Sequence, residues 1–516
     1  MAFLTSHLLT WILFLPIAVA VVLLFIPREQ RNALRWVAFL GSLLPLALSV
    51  YLWFQFDAGQ TGFQFQERVL WFAPSKVQYF VGVDGLSLTL VLLSTLLTSA
   101  SILASWNIQD ELKAYLVLFL LQEMGMLGVF LSLDLVLFFV FWEIGVIPMF
   151  FLIHRWGSPK GEREIWGGIK LKARSYAAFK FLVYSIVGSV GLLFAAVALT
   201  RMVGTSALPT LLAEWPQASG SFFGLPVNVV KALTFWGMVL AFAVKVPMWP
   251  FHTWLPDAHT EAPTAGSMIL AGVLLKLGGY GFLRLVLPLF PEMSKHYAGL
   301  FALLAMLSIV LGAFAAYGQT DFKRLVAYSS VNHMGFMVLG MAVAAAAIGT
   351  KDAVIAYNGA VLQMFNHGLS AAGMFFLVGV LYERAHTRDL EKFGGLFPLM
   401  PVYGGILIFT SMASLGLPGL NGFVSEFLVV RGAWPVFTLF TALSMLGLLF
   451  TGAYILKAIK MVLHGPLNEH WEGHLTDISA REVVVIAPLM VLMLWIGVWP
   501  MWILDVINKV ALHLVG

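Results

Sequence analysis

The sequence contains no cysteine. That removes disulfides, iron–sulfur ligation and thiol catalysis from this chain. Charge is scarce as well: Asp, Glu, Lys and Arg make up 11% of the 516 residues, against roughly 25% in a soluble domain. No glycine-rich nucleotide loop follows a strand and no P-loop is present, so ATP does not drive the chain directly. No i, i+4 histidine pair sits with a third ligand, which argues against a zinc-type metal centre. The net charge of +4 is small for this length and gives no reason to expect a nucleic-acid partner. What fills the sequence is apolar: 60% hydrophobic residues and a mean hydropathy of +0.90. Such a chain lives in lipid.

A membrane-spanning helix needs about 20 mostly apolar residues. Fourteen stretches qualify, near 3–26, 34–54, 81–105, 112–131, 133–154, 176–201, 229–254, 264–290, 296–318, 323–348, 353–382, 400–432, 434–463 and 482–506. The expected fold class is therefore all-α and polytopic. The first stretch lacks a small-residue cleavage site and reads as a retained helix. Loops after odd-numbered helices hold sixteen Lys and Arg, Lys323 among them, and the other side holds six. The basic side should face the cytoplasm, leaving both termini outside.

Some ionisable residues fall inside these runs. Lys231, Arg284 and Lys460 lie near helix edges, where a long side chain can snorkel to the interface. Lys245 and Lys276 sit deep, and so do Glu123, Glu143 and Glu426. A charge at mid-bilayer costs roughly 2.5–3.5 kcal/mol on insertion scales, so such groups usually face a polar interior and mark an ion or proton path. The plain alternative for each is a buried ion pair pinning two helices. His333 and His367 lie inside helices ten and eleven, between the charged clusters, where a group titrating near neutral pH could pass a proton. For His252 and His259, capping and loop anchoring compete equally with function.

A faint repeat runs through the middle of the chain. Lys245 and Lys276 are 31 residues apart, as are Glu426 and Lys457, and the two pairs are offset by 181. A block near 112–290 thus recurs as 296–463, five helices in each. An odd number of helices inverts the second copy, and inverted repeats with discontinuous helices are a mark of transport folds. Both copies carry a helix breaker: Pro247 and Pro250 after Lys245, and Gly416, Pro418, Gly419 and Gly422 before Glu426. Proline removes a backbone donor, and within lipid the freed groups must meet protein or water. The expected division is 1–111 for three N-terminal helices, 112–290 and 291–463 for the two repeats, and 464–516 for a C-terminal loop and helix.

The stretch "AFAVKVPMWPFHTWLPDAHTEAPTAGSMILAGVLLKLGGYGFLR" closely resembles the antiporter-like, proton-conducting membrane subunits of respiratory complex I. The resemblance extends over essentially the whole chain, with its core near 112–463. Its length leaves no room for the long lateral helix of the L-type sibling. Glu426, where L- and N-type siblings carry lysine, resembles the M type. The D subunit of a photosynthetic ferredoxin-dependent complex shares that pattern, and sodium/proton antiporter subunits are more distant relatives. The resemblance implies roles: Glu143 and Lys245 as a paired switch, Lys276 as central relay, His333 and His367 as links, and Glu426 as the terminal exchanger. Internal symmetry adds Lys457 as a further relay, while Glu123 receives no role. The resemblance also implies a bacterial inner-membrane location, lipids and other complex I membrane subunits as partners, especially the L- and N-type siblings. It places no cofactor in this chain, with quinone, FMN and iron–sulfur clusters in other subunits.

Overall fold

The protein is described by a computed structural model covering residues 6–73, 76–165 and 167–516. It is almost wholly helical. The spans are α1 Leu8–Phe25, α2 Arg31–Gln55, α3 Gly85–Ala104, α4 Leu112–Leu131, α5 Leu135–Trp156, α6 Ala173–Val203 and α7 Val227–Lys245. After a gap come the short α8 Trp254–Glu261 and the long α9 Thr264–Leu289. The second half holds α10 Ala298–Tyr317, α11 Phe322–Ala346, α12 Lys351–Ala385, α13 Pro401–Leu415, α14 Asn421–Ala433, α15 Thr438–Leu463, α16 Ala480–Val498 and α17 Met501–Val515. Among the described residues, 13 helices are long and apolar enough to cross a membrane. The remaining expected span, near 400–432, is split into α13 and α14.

In lipid every backbone polar group must be satisfied within the protein, which is why apolar runs of this length become helices. Their starts are fixed by short acceptors. Asp84 caps α3 by accepting from Leu86 N and Ser87 N, each at 3.1 Å, Asp134 caps α5 and Ser479 with Glu482 forms a capping box on α16. The windows of α9 and α12 are buried along their whole length, and α11 nearly so. These helices form the axis. Outer helices turn Phe54, Val190, Leu449 and Val498 outward, an apolar surface that lipid solvates. Close approaches rely on small residues: a Cβ on Gly191 of α6 would lie 2.5 Å from Gly237 Cα of α7.

Several expected boundaries move, each for a physical reason. Residues 81–83, expected inside the third span, belong to a strand: Val77–Val83 pairs antiparallel with Gln64–Phe72, and α3 begins at Gly85. The expected final span 482–506 stops at Val498. Trp499 precedes Pro500, and a residue before proline is pushed out of the helical region, here to φ −137° and ψ 77°. A separate helix, α17, then takes up Met501–Val515, which includes the last residues of the expected span. The fifth span is interrupted at Gly145 and Val146, where Pro148 cannot donate the amide that would continue the ladder. Two cations also differ from expectation. Arg284 does not snorkel; it is buried and paired with Asp84 at 2.5 Å. Lys323 is not a loop residue; it is buried at the start of α11 and donates to the Ala262 carbonyl at the end of α8.

Candidate functional site

Lys245 is the last residue of α7, and the chain from 246 to 253 is not helical. The break frees backbone groups inside the protein, and neighbours answer them. The Trp254 indole donates to Val244 O at 2.9 Å, and Trp249 N donates to Ser308 Oγ at 2.9 Å. Lys245 itself is 2% exposed, yet among the described residues its ammonium has no hydrogen-bond partner. It lies 5.4 Å from the ring centres of both Trp142 and Phe181. In a dry site each such contact stabilises the cation by up to about 2 kcal/mol. Glu143 follows Trp142 directly, with Oε1 buried and unpartnered. Among the described residues no ion pair joins it to Lys245, although the two lie within electrostatic reach of each other.

Lys276 is fully buried on α9, just after a π-helical turn at Leu270–Leu274. π-turns inside α-helices are frequent at functional sites because they widen the ladder locally. Here the Lys276 ammonium donates to the Ala271 carbonyl within that turn and to His367 Nδ1 at 2.7 Å. His367, on α12, keeps Nε2 without a partner. The rings of His367 and His333 are 5.8 Å apart, tilted by 42°. His333 Nδ1 donates to Glu426 Oε1 at 2.8 Å, and its Nε2 accepts from the Tyr454 hydroxyl at 3.2 Å. Gln363 donates to both His333 O, at 3.0 Å, and Glu426 Oε1, at 3.3 Å. The row Lys276, His367, His333, Glu426 is buried throughout.

Glu426 rides on α14, just beyond the second break. α13 ends at Leu415, and Gly416 and Gly419 take the left-handed conformation at φ 82° and 93°, which only glycine adopts freely. Gly422 must lack a side chain, since a Cβ there would sit 2.2 Å from Ala413 O. Two amides dock the break onto α12: Asn366 donates to Asn421 O at 2.6 Å, and Asn421 donates to Asn366 O at 3.1 Å.

The structure thus brings together Lys276, His367, His333 and Glu426. Lys245 and Glu143 lie at two other helix discontinuities and, among the described residues, make no hydrogen bond to that row. Lys457 stands apart: its ammonium donates to Tyr317 O at 2.7 Å and Gln319 O at 2.9 Å, closing the end of α10. Among the described residues, Glu123 is fully buried with neither carboxylate oxygen partnered. His259 is fully buried and stacked 4.4 Å from the Phe375 ring, and among the same residues neither of its ring nitrogens, nor His252 Nδ1, has a partner. Sequence reasoning missed Gln363, Asn366, Tyr454 and Asp257. The spacing of Gln363, Asn366, His367 and Ser370 on an otherwise apolar helix was a usable signal, because i, i+3 and i+4 positions share a face. Asp257, 2.7 Å from Lys180 and 3.3 Å from Arg324, had no comparable sequence pattern. Among the described residues no group of three or more metal-ligand side chains occurs.

Residues 132–451, well over half of the chain, match the transmembrane family model described as NADH:quinone oxidoreductase/Mrp antiporter. The chain belongs to that family. It is 41% identical to NADH-quinone oxidoreductase subunit M of Rhodobacter capsulatus, covering 99% of this chain and 96% of that one. With subunit M of Pseudomonas aeruginosa it shares 38% identity over 98% of its length and 96% of the relative's. Among solved structures, a chain of respiratory complex I from Thermus thermophilus matches with a TM-score of 0.83 and 27% identity, covering 98% of this chain and all of that one. A chain of the Mrp complex from Dietzia matches with a TM-score of 0.81 at 19% identity, covering 99% of this chain and 97% of that one, a likeness of fold alone.

Proposed function

We propose that this chain is the M-type, proton-translocating membrane subunit of an NADH:quinone oxidoreductase. The observation that carries the reading is the buried row from Lys276 through His367 and His333 to Glu426. The relatives named subunit M support this reading over an antiporter subunit, and the glutamate at position 426 favours the M type over the L- and N-type siblings.

The row suits proton transfer because each member can both hold and release a proton. The Lys276 ammonium gives its proton to His367 Nδ1 and becomes a neutral amine. His367 releases the proton on Nε2 toward His333, across a gap that one water or a ring turn spans. His333 then passes the Nδ1 proton to the Glu426 carboxylate, and Tyr454 and Gln363 hold the imidazole and carboxylate in line. Lys245 and Glu143 form the switch. A nearby acid favours the charged lysine, and dry surroundings favour the neutral one, so a change in their separation moves a proton toward Lys276. The drive comes from quinone chemistry in other subunits, where FMN and iron–sulfur clusters also reside. L- and N-type siblings are the expected neighbours, in a bacterial inner membrane with both termini outside the cytoplasm. The division at 112–290 and 291–463 follows the two five-span blocks, each with its fourth span broken. Lys457 is left out of the row, since its donors close a helix end.

Lys245→Ala and Glu143→Gln, each in the whole complex in proteoliposomes, should depress proton pumping and the coupled quinone reduction. Assembled variants that both pump at the parental rate would remove the reading. Purified chain alone that exchanges sodium for protons in vesicles would favour the antiporter reading instead.

A further inference from the structure

α9 carries Lys276, Tyr280 and Arg284 at i, i+4 and i+8, a spacing that places side chains along one strip of a helix. The strip is polar from end to end. At its upper end Lys276 bonds His367. Tyr280 donates to the Phe130 carbonyl at 3.1 Å and accepts from Arg284 Nε at 3.3 Å. Arg284 Nη2 donates to Asp84 Oδ1 at 2.5 Å, with both side chains almost fully buried. Tyr357, ten residues before His367 on α12, adds a buried hydroxyl with no partner within the electrostatic reach of this group. A second π-turn, Phe282–Val286, contains Arg284. Beyond the pair lies a cavity of about 60 Å³ lined by Gln60, Gly62, Phe63, Asp84, Lys509 and His513. That cavity is on the face whose loops are poor in Lys and Arg.

This geometry gives the proton on Lys276 a second way to go. Hydroxyls pass protons, so Tyr280 extends the strip toward the cavity. Arginine does not: its guanidinium keeps its protons at any accessible pH, and a fixed cation in a narrow polar path repels an incoming proton. Asp84 holds the guanidinium still, because its carboxylate is already fixed as the α3 cap. Gly85 lets α17 close over this point, since a Cβ there would meet Val506 O at 1.9 Å.

We propose that the Arg284–Asp84 pair is an electrostatic seal that stops protons on the Lys276 row from leaking along α9 to the charge-poor face. The inference rests on the reading that Lys276 carries protons. A pair that only pins α9 to α3 would look similar at rest, so the test must read leakage.

The complete complex is placed in proteoliposomes, and passive proton conductance is measured without NADH, under a potassium–valinomycin potential, with an entrapped pH dye. Arg284→Gln is expected to raise passive conductance about tenfold or more, a barrier loss of about 1.4 kcal/mol or more. Arg284→Lys, which keeps the cation, should stay tight. Tyr280→Phe added to Arg284→Gln should lower the leak again, because the strip loses its hydroxyl. Assembled Arg284→Gln complex as tight as the parent overturns the proposal, and so does equal leakage in Arg284→Lys, which would mark loosened packing. If Arg284→Gln fails to assemble, the double change Asp84→Asn with Arg284→Gln decides, since it strands no charge. Its failure as well would overturn the seal in favour of a structural pair. The two readings part cleanly. A leak that persists in full when Lys276→Ala is added to Arg284→Gln overturns the seal alone, whereas normal pumping by Lys276→Ala removes the functional reading itself.

Discussion

Replacing Glu426 by glutamine isolates the chemistry of the terminal carboxylate from its shape. The side chain keeps its length and volume, and its cradle survives: Gln363 still has the His333 carbonyl at 3.0 Å and the Ser425 hydroxyl, and Asn366 still docks α14 through Asn421 and Ser425. Glutamine can accept the His333 Nδ1 bond at 2.8 Å, so the variant should fold and assemble. What it cannot do is take a proton from His333. A hydrogen bond to a charged partner is worth roughly 1.5–3 kcal/mol, and each 1.36 kcal/mol is a factor of ten in rate. Lost stabilisation of the transfer alone therefore slows passage by about 10- to 150-fold. The complex is reconstituted in proteoliposomes, and acidification on NADH addition is recorded beside quinone turnover. Pumping through this subunit should fall by at least that factor, and Glu426→Asp should fall less, because it keeps a carboxylate while losing the 2.8 Å contact. An assembled Glu426→Gln complex with the parental number of protons per electron would refute the reasoning, whatever the other variants do.

Three further outcomes follow from the same geometry. Phe181→Leu removes one of the two rings around Lys245 and about 1–2 kcal/mol of cation stabilisation; pumping should fall about 5- to 30-fold, while Phe181→Tyr, which keeps the ring, should pump normally in the same assay. Lys457→Ala should cost some stability by freeing the Tyr317 and Gln319 carbonyls at a partly exposed helix end, about 0.5–1.5 kcal/mol, with little change in proton-to-electron ratio; a collapse of that ratio in assembled complex would restore Lys457 to the relay. Gly422→Val forces a side chain onto Ala413 O, and overpacking of that kind costs about 1–3 kcal/mol or more, which a lowered thermal midpoint of the purified complex would register.

The helices were legible because lipid imposes one rule on every span, and the row because ionisable residues in such spans have few other uses. The membrane class, the two breaks and Lys276, His333, His367 and Glu426 could all be marked from the residue pattern. What escaped was relational. Lys323 and Arg284 stand at span edges in the sequence, yet Lys323 meets the end of α8 and Arg284 meets Asp84, 200 positions away. Gln363 and Asn366 are ordinary amides until α14 packs on α12. The interruption beside Glu143 depends on Pro148 and on the Gln122 amide that reaches Gly145 O at 2.8 Å, a contact from another helix.

The breaks themselves do not make a lysine a relay; what matters is which group answers the freed carbonyls. Lys457 and Lys323 spend their ammonium groups on carbonyls at helix ends. At the first break and at the α5 interruption the same task falls to neutral donors: the Trp254 indole takes Val244 O in the one, and Gln122 takes Gly145 O in the other. Among the described residues the Lys245 ammonium and Glu143 Oε1 are left without a hydrogen-bond partner. Trp254→Phe tests the point, because it keeps most of the ring packing and deletes only the Nε1 donor. An unanswered buried carbonyl costs about 1–3 kcal/mol, and Lys245, the next residue in the chain, has an ammonium without a hydrogen-bond partner among the described residues. Lys245 should then be captured as a cap, and pumping should fall although every ionisable residue of the pathway is intact. Parental pumping in assembled Trp254→Phe complex would mean that the indole is packing only, and that the freedom of Lys245 has another origin.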